Sequence, residues 1–178
     1  PGQHDYIVQS HGAWHETVEG LYNLARANAS IEIRVVVQKS NVDRLSELAR
    51  FIFHNLSFVD HIAFMALEPM GFARTNHNDV WIDPIDCQEQ LFEAVSYLAD
   101  RGMNPSLYNF PLCTVSPALW DFSRQSISDW KNVYLPECEE CAEKSNCCGF
   151  FRTIDPGWTS RSIHPIEKSP HPEFEEAE

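Results

Sequence analysis

Cys138 and Cys141 form a C-x-x-C pair, with Cys147 and Cys148 close behind it and Cys113 upstream, so four thiols can converge on one metal centre. A C-x-x-C turn puts two sulfurs on one side of a tight loop, and the remaining ligands can come from any segment the fold brings near. Spacing alone does not name the metal, because tetrahedral zinc and an iron-sulfur cluster both prefer soft sulfur ligands. It also leaves Cys147 and Cys148 as alternatives. Glu137, Glu139, Glu140 and Glu143 crowd the same stretch. Their plain reading is the solvated face of a loop; beside a bound cluster, their field would disfavour adding an electron and lower its potential. Cys87 lies apart from these residues, in a segment of helical pattern, and reads as a small buried hydrophobe. His11 and His15 stand four apart but lack the acidic partner of a zinc-protease motif, so they read as solvated.

The elements that must position these thiols follow from composition and pattern. The chain has 178 residues, 43% of them hydrophobic, enough for one domain with a core and a small appendage. Thirteen basic against twenty-six acidic residues give a formal charge of -13, with the cations scattered, which excludes nucleic acid as a natural partner. No apolar run approaches the roughly 20 residues that cross a bilayer, and no basic-then-apolar leader opens the chain. A cytoplasmic location is the expectation. Clustering of thiols in one short stretch argues against a disulfide scaffold, which spreads its bridges over a loop-rich chain. The chain opens on Pro1 rather than Met and reads as a fragment of a longer protein.

Apolar residues at Trp14, Val18, Leu21, Leu24 and Ala25 predict an amphipathic helix over 13–27. Ile31, Ile33, Val35 and Val37 alternate with Glu32, Arg34, Val36 and Gln38, the pattern of a strand with two different faces. Ser40 or Asn41 can cap a second helix carried by Leu45, Leu48, Ala49, Ile52 and Phe53, ending near Asn55. A second strand is expected over 59–67, a long loop over 68–84, and a helix opened by Asp83-Pro84 and closed by Gly102. A shorter third strand covers 105–110. This α-β-α-β-α-β order predicts a parallel sheet with right-handed crossovers. Beyond Leu112, short helical pieces are expected at 117–122 and 127–131 before the cysteine loop. The Pro-, Glu- and His-rich tail from 163 on should be poorly ordered unless it docks.

In such sheets functional groups gather at the carboxyl ends of the strands. That edge comprises 38–41, 68–71 and 109–113. Arg34 reads most simply as an exposed or salt-bridged strand arginine, and as a bidentate carboxylate holder if it points into a polar interior. Asn41 reads as a helix cap that can also touch a ligand. Leu67, Glu68 and Gly71 belong to a Leu-Glu-Pro-Met-Gly turn whose glycine either makes the turn or lets backbone approach a flat ligand.

Several stretches match one pattern: His4-Asp5, Val8-Gln9-Ser10, Gly12, Thr17, Gly20 and Leu24, then Ile31 to Val37 with Asn41, then Phe64 to Gly71. Together they resemble the second half of a radical S-adenosylmethionine enzyme core. The segment from Pro111-Leu112-Cys113 through Trp120 to Cys138, Cys141, Cys147 and Gly149-Phe150-Phe151 looks like the C-terminus of the His-Xaa-Ser system radical SAM maturases. The resemblance covers nearly all of 4–166. It implies the C-terminal half of a partial (βα)6 TIM-like barrel over 1–112, a Cys-rich auxiliary-cluster region over 113–162 and a disordered tail over 163–178. It implies that Cys113, Cys138, Cys141 and Cys147 bind an auxiliary 4Fe-4S cluster, with Cys148 where glycine is expected. Arg34 and Asn41 would lie near the amino acid and ribose of S-adenosylmethionine, and Leu67, Glu68 and Gly71 near its adenine. Such enzymes use a second 4Fe-4S cluster on a C-x3-C-x2-C loop to generate a 5'-deoxyadenosyl radical, and that loop is not in this sequence. The isolated chain is therefore expected to be inactive, with the full-length parent a peptide maturase whose substrate is made on the ribosome.

Two other classes compete with this reading: a zinc-stabilised α/β domain without a redox role, and a binding module for a leader peptide. If the earlier barrel strands are absent, the sheet leaves an open edge that invites pairing between chains.

Overall fold

Most helices and strands in this computed structural model, which describes residues 1–125 and 132–167, have a local cause legible in their residues. Helix α1 (Gly2–Val8) leads into α2 (Ala13–Arg26). The Asp5 carboxylate accepts the Gly12 and Trp14 amides at 2.7 and 2.8 Å, supplying from upstream the acceptor that an N-cap side chain normally gives. Those two amides hold the Asp5 carboxyl below its ordinary range.

Strand β1 (Glu32–Val37) follows, with Val35 and Val37 buried and Glu32, Arg34 and Val36 exposed, as the alternation requires. Asp60 ties its start to that of the next strand by accepting the Ile31 amide at 2.7 Å and the Ser30 hydroxyl at 3.0 Å. Helix α3 (Leu45–Asn55) buries Leu45, Ala49 and Ile52, spaced four and three apart, and β2 (His61–Ala66) enters the middle of the sheet. Two short helices, α4 (Phe72–Thr75) and α5 (His77–Val80), occupy a segment that composition marks as loop. Helix α6 (Gln88–Ala99) is led by a 3-10 turn over Pro84–Cys87, where the Asp83 carboxylate accepts the Ile85 amide, and Gly102 ends it at φ 75°.

Strands β1, β2, β3 (Pro105–Tyr108) and β4 (Ser123–Arg124) form a four-stranded sheet in the order 1-2-3-4, with every pairing parallel. A second, two-stranded sheet pairs β5 (Asn132–Val133) with β6 (Phe150–Phe151) antiparallel. The chain is thus a mixed α/β protein built on a small parallel sheet. Val35, Phe64 and Leu107 lie in register across β1, β2 and β3, and pack in one buried cluster with α3 and α6. The other face of β1 carries Glu32, Arg34 and Val36, so α3 and α6 cover one side of the sheet.

Boundaries differ from expectation where side chains decide them. The third strand stops at Tyr108 because Asn109 adopts φ 65° and turns the chain. The expected helix at 117–122 is a 3-10 helix, and that at 127–131 lies outside the described residues. The first residues of the expected tail are docked: Ile166 packs on the core, and its carbonyl accepts the Ala142 amide at 2.9 Å. No described helix is long and apolar enough to cross a membrane.

On the open face, Glu32 accepts from Arg34 at 2.5 Å and meets His61 Nδ1 at 2.6 Å. Arg34, then His61, hold this carboxyl below its ordinary 4.5. A depressed folded-state value means that the contribution to stability is complete above pH 4.5 and is lost as pH falls through the lower folded value. Glu32→Gln is expected to lower the melting temperature in the neutral region and to converge with the wild type as pH falls below 4.5, so that its acid limb is flatter. Parallel wild-type and variant limbs would refute the assignment.

Candidate metal centre

The parallel sheet delivers the first thiol directly. After β3, Phe110 and Pro111 lead into a 3-10 turn over Leu112–Thr114 that carries Cys113 just past the strand's carboxyl end. This turn is fixed from below, since the buried Thr114 hydroxyl donates to the Pro111 carbonyl at 2.7 Å and Trp120 Nε1 donates to the Leu112 carbonyl at 3.1 Å. Cys138 closes a 3-10 turn over Pro136–Cys138, and its carbonyl accepts the Cys141 amide at 3.3 Å, which sets the tight C-x-x-C loop. The Cys147 amide donates to the Glu143 carbonyl at 3.0 Å, and Tyr134 Oη donates to the Cys147 carbonyl at 3.0 Å, joining the loop's end to the β5–β6 pair.

The sulfurs divide into two kinds by what they face. Cys147 Sγ accepts the Leu112 and Gly149 amides, each at 3.4 Å. Cys141 Sγ accepts the Ile166 amide at 3.3 Å. Near Cys113 and Cys138 the backbone of His164 and of Leu135 favours the thiolate, against the larger opposing effect of burial. Cys87 Sγ instead donates to the Pro84 carbonyl at 3.2 Å, and Cys148 Sγ to the Gly149 carbonyl at 3.4 Å, as neutral thiols do.

Of the thiols that burial or neighbours shift, Cys147 alone is lowered. Burial pushes the Cys87 thiol up to about 12, which suits a thiol that stays protonated in the core. Cys113 rises to about 11, first through burial and then through the fields of Cys147, Cys138 and Cys141, with the His164 amide opposing. Burial also raises Cys138. Cys147 is lowered, first by the Cys148 thiol hydrogen-bonded to it and then by its two amides, while Cys148 is raised by the same contact. Cys113, Cys138, Cys141 and Cys147 therefore lie within one electrostatic field. Among the described residues, however, no three Cys, His, Asp or Glu side chains are gathered into a metal-binding group.

Glu143 departs from the solvated reading given to the four loop glutamates. It is fully buried, with Asn146 Nδ2 donating to its Oε2 at 2.8 Å, while Glu137, Glu139 and Glu140 remain exposed. Gly149 holds the loop's exit at φ 63°, and a Cβ there would stand 2.8 Å from the Val133 carbonyl oxygen. Gly149→Ala thus combines left-handed backbone with a collision against main chain. It is expected to lower stability by about 2 kcal/mol or more and to raise amide exchange over 133–151; unaltered exchange there would count against it.

The residues expected to hold S-adenosylmethionine are not gathered into one pocket. Arg34 is 62% exposed at its side chain and engaged with Glu32 on the open face, the plainer of its two readings. Asn41 caps no helix by its side chain: Oδ1 accepts the Gln38 amide at 3.0 Å and Nδ2 donates to the Val36 carbonyl at 2.8 Å, closing the loop after β1. Leu67 and Pro69 line a cavity of about 60 Å³ at the carboxyl edge, together with Val37, Trp81, Phe110 and Trp158. Glu68 is half-buried beside it, and Gly71 is exposed at φ 55°. Cys87 and Cys148 also line this cavity, so the Cys-rich region is seated over the strand ends.

The chain matches no family model, no curated protein and no solved structure.

Several residues that build this edge had only weak signals in the sequence. Asp83 accepts the Arg161 amide and Nη1, both at 3.1 Å, while Arg161 also pairs with Asp86, fastening the C-terminal segment to the start of α6. His77 stacks on Trp81 and meets Trp158 edge-on at 4.6 Å. A lone His beside Trp81 and Trp158 far apart in sequence gives no periodic clue to this meeting.

Proposed function

We propose that this chain is part of a radical S-adenosylmethionine enzyme that modifies a ribosomally made peptide, with Cys113, Cys138, Cys141 and Cys147 holding an auxiliary 4Fe-4S cluster. The carrying observation is that the Cys141 and Cys147 sulfurs accept main-chain amides and that Cys113 feels the fields of Cys138, Cys141 and Cys147, whereas Cys87 and Cys148 donate to carbonyls. Amides aimed at sulfur stabilise thiolate, and thiolate is the donor chemistry such a cluster takes. The sequential strand order with α3 and α6 on one face supports a wall of a partial (βα)6 barrel, whose functional groups sit at the carboxyl edge.

A bound 4Fe-4S cluster supplies a one-electron donor or acceptor at that edge. The chain's own residues do the rest. Amides of Leu112 and Gly149 favour the Cys147 thiolate, and Cys148 stays protonated beside it. On this reading Asn41 and the Leu67, Glu68 and Gly71 turn, in the loops after β1 and β2, would meet the nucleoside, and Arg34 would do so only by leaving Glu32. The radical-generating cluster belongs on a C-x3-C-x2-C loop outside this sequence, so the chain alone is expected not to cleave S-adenosylmethionine.

Anaerobic reconstitution with iron and sulfide tests the centre. The expected product is brown, with broad visible absorption and iron and sulfide in equal amounts. A colourless protein that takes one zinc in preference would overturn the cluster and leave a structural zinc domain.

A further inference from the structure

Strand β1 is the long open edge of the parallel sheet. Among the described residues no strand lies beyond it, while the opposite edge is only the two residues of β4. The Ile31 carbonyl accepts the Asp60 amide at 2.9 Å and so faces β2. In a parallel ladder the N–H and C=O of one residue point to the same neighbour and successive residues alternate. Ile33, Val35 and Val37 therefore bond toward β2, and Glu32, Arg34 and Val36 turn their main chain outward. Asn41 Nδ2 donates to the Val36 carbonyl at 2.8 Å, which leaves Glu32 to Arg34 as the free stretch. The helix layer stops short on the same flank. Helix α3 meets α6 through Ser46 and Phe53, and meets α2 on its opposite face through Phe51 and Asn55. Helix α2 thus lies on the β1 side, yet it has no fully buried residue, and its Leu24 is exposed, as are Tyr6 and Val8 on α1.

The geometry points to a second copy of this chain as what completes this flank, with the two β1 strands antiparallel about a two-fold axis that passes between their Ile33 residues. The pairing goes beyond the proposed function and needs no metal. Strands that a longer parent places before β1 would take the same edge, so the pairing is a property of this chain. Charge fixes the register. Glu32 of each copy stands opposite Arg34 of the other, and the Glu32–Arg34 pair within each strand closes the four side chains into a square of alternating sign. Both residues turn their main chain outward, so each opposed pair exchanges its two backbone hydrogen bonds. A slip of two residues sets Arg34 against Arg34 in one direction and Glu32 against Glu32 in the other. The first of these also needs the Val36 carbonyl that Asn41 holds. A slip of one residue would set the open face of one copy against the helix-covered face of the other. Parallel pairing in register sets both like charges together. An unpaired edge is a template for another strand, and an isologous contact needs a self-complementary patch, which Glu32 and Arg34 supply. The axis stands perpendicular to the sheet, so both helix layers lie on one side and the two α2 helices come side by side.

Sedimentation velocity over a concentration series tests this, with far-UV circular dichroism confirming that each variant is folded. The wild type is expected to pass from monomer to dimer as concentration rises, and amide exchange at Glu32 and Arg34 to slow with it. Glu32→Arg and Arg34→Glu each set like charges opposite one another and are expected to weaken the dimer at least about tenfold. An equal mixture of the two variants is expected to dimerise again, because one chain then carries only positive and the other only negative charge at these two places. The double swap in one chain should recover likewise. Phe92→Ala, exposed on α6, serves as a control and keeps the wild-type association. A wild type that stays monomeric throughout, or a dimer indifferent to both single reversals, would overturn the proposal. Loss in both singles with no recovery in the mixture or the double swap would overturn the register on which it stands.

Discussion

Cys147→Ser is expected to cut iron incorporation at least about tenfold under anaerobic reconstitution, while Cys148→Ser keeps it near the wild-type level. The adjacent thiols are separated by their surroundings rather than their sequence. Cys147 is half-buried and receives the Leu112 and Gly149 amides, so removing its sulfur deprives both donors of an acceptor and the centre of a ligand. Cys148 is buried in the cavity wall and donates its one thiol proton to the Gly149 carbonyl, away from any ligand role. The turn after it is held by a left-handed glycine at which an added Cβ would meet the Val133 carbonyl oxygen at 2.8 Å. Iron and sulfide assays on both variants decide it. Comparable iron in both, or loss confined to Cys148→Ser, would show that the wrong neighbour has been assigned as ligand. Cys113→Ser, Cys138→Ser and Cys141→Ser provide the calibration for loss of a true ligand.

The parts of this fold written in the sequence are those where one periodicity outweighs everything else. Trp14, Val18 and Leu21 mark α2, and the alternation from Ile31 to Val37 marks β1 and names its buried face. Asp83-Pro84 and Gly102 bracket α6 because each uses local backbone chemistry that tertiary contacts do not change. Segments whose conformation depends on distant partners were not legible. Helices α4 and α5 lie in a stretch broken by Pro69 and Gly71, and they are held by contacts from Arg74 and His77 to residues about eighty positions away. Asn41 has the composition of a helix cap, but it is used to close the loop after β1. Glu143 resembles its solvated neighbours and is buried all the same. The candidate centre shows the same limit. Cysteine spacing offers candidate ligands and leaves Cys147 and Cys148 open, while the main-chain amides that reach Cys141 and Cys147 carry no residue code.

Phe64→Ala is expected to remove about 3–5 kcal/mol of stability, against a total of about 5–15 kcal/mol for a domain of this kind. Phe64 is 0% exposed in the second of four strands, and its ring lies on the helix-covered face in register with Val35 and Leu107. Those two side chains are anchored in neighbouring strands and cannot follow the receding Cβ, so the cavity persists and its cost adds to the lost transfer energy. At this chain length the change corresponds to a melting temperature lower by roughly 6–20 °C. Phe72→Ala is the matched control, since that ring is 87% exposed at the start of α4 and its loss should stay within about 0.5 kcal/mol. Calorimetry of the pair separates burial from residue type, and equal shifts would show that β2 is not the centre of the core. The carboxyl end of β2 runs straight into Leu67 and the turn that Arg74 holds, so the same variant also tests how far the edge depends on the sheet. Below its melting temperature, Phe64→Ala should still load metal, because the donors to Cys141 and Cys147 come from Ile166, Leu112 and Gly149 rather than from β2. Loss of loading in a chain that remains folded would mean that the sheet sets the sulfur geometry directly, and that the loop does not carry it alone.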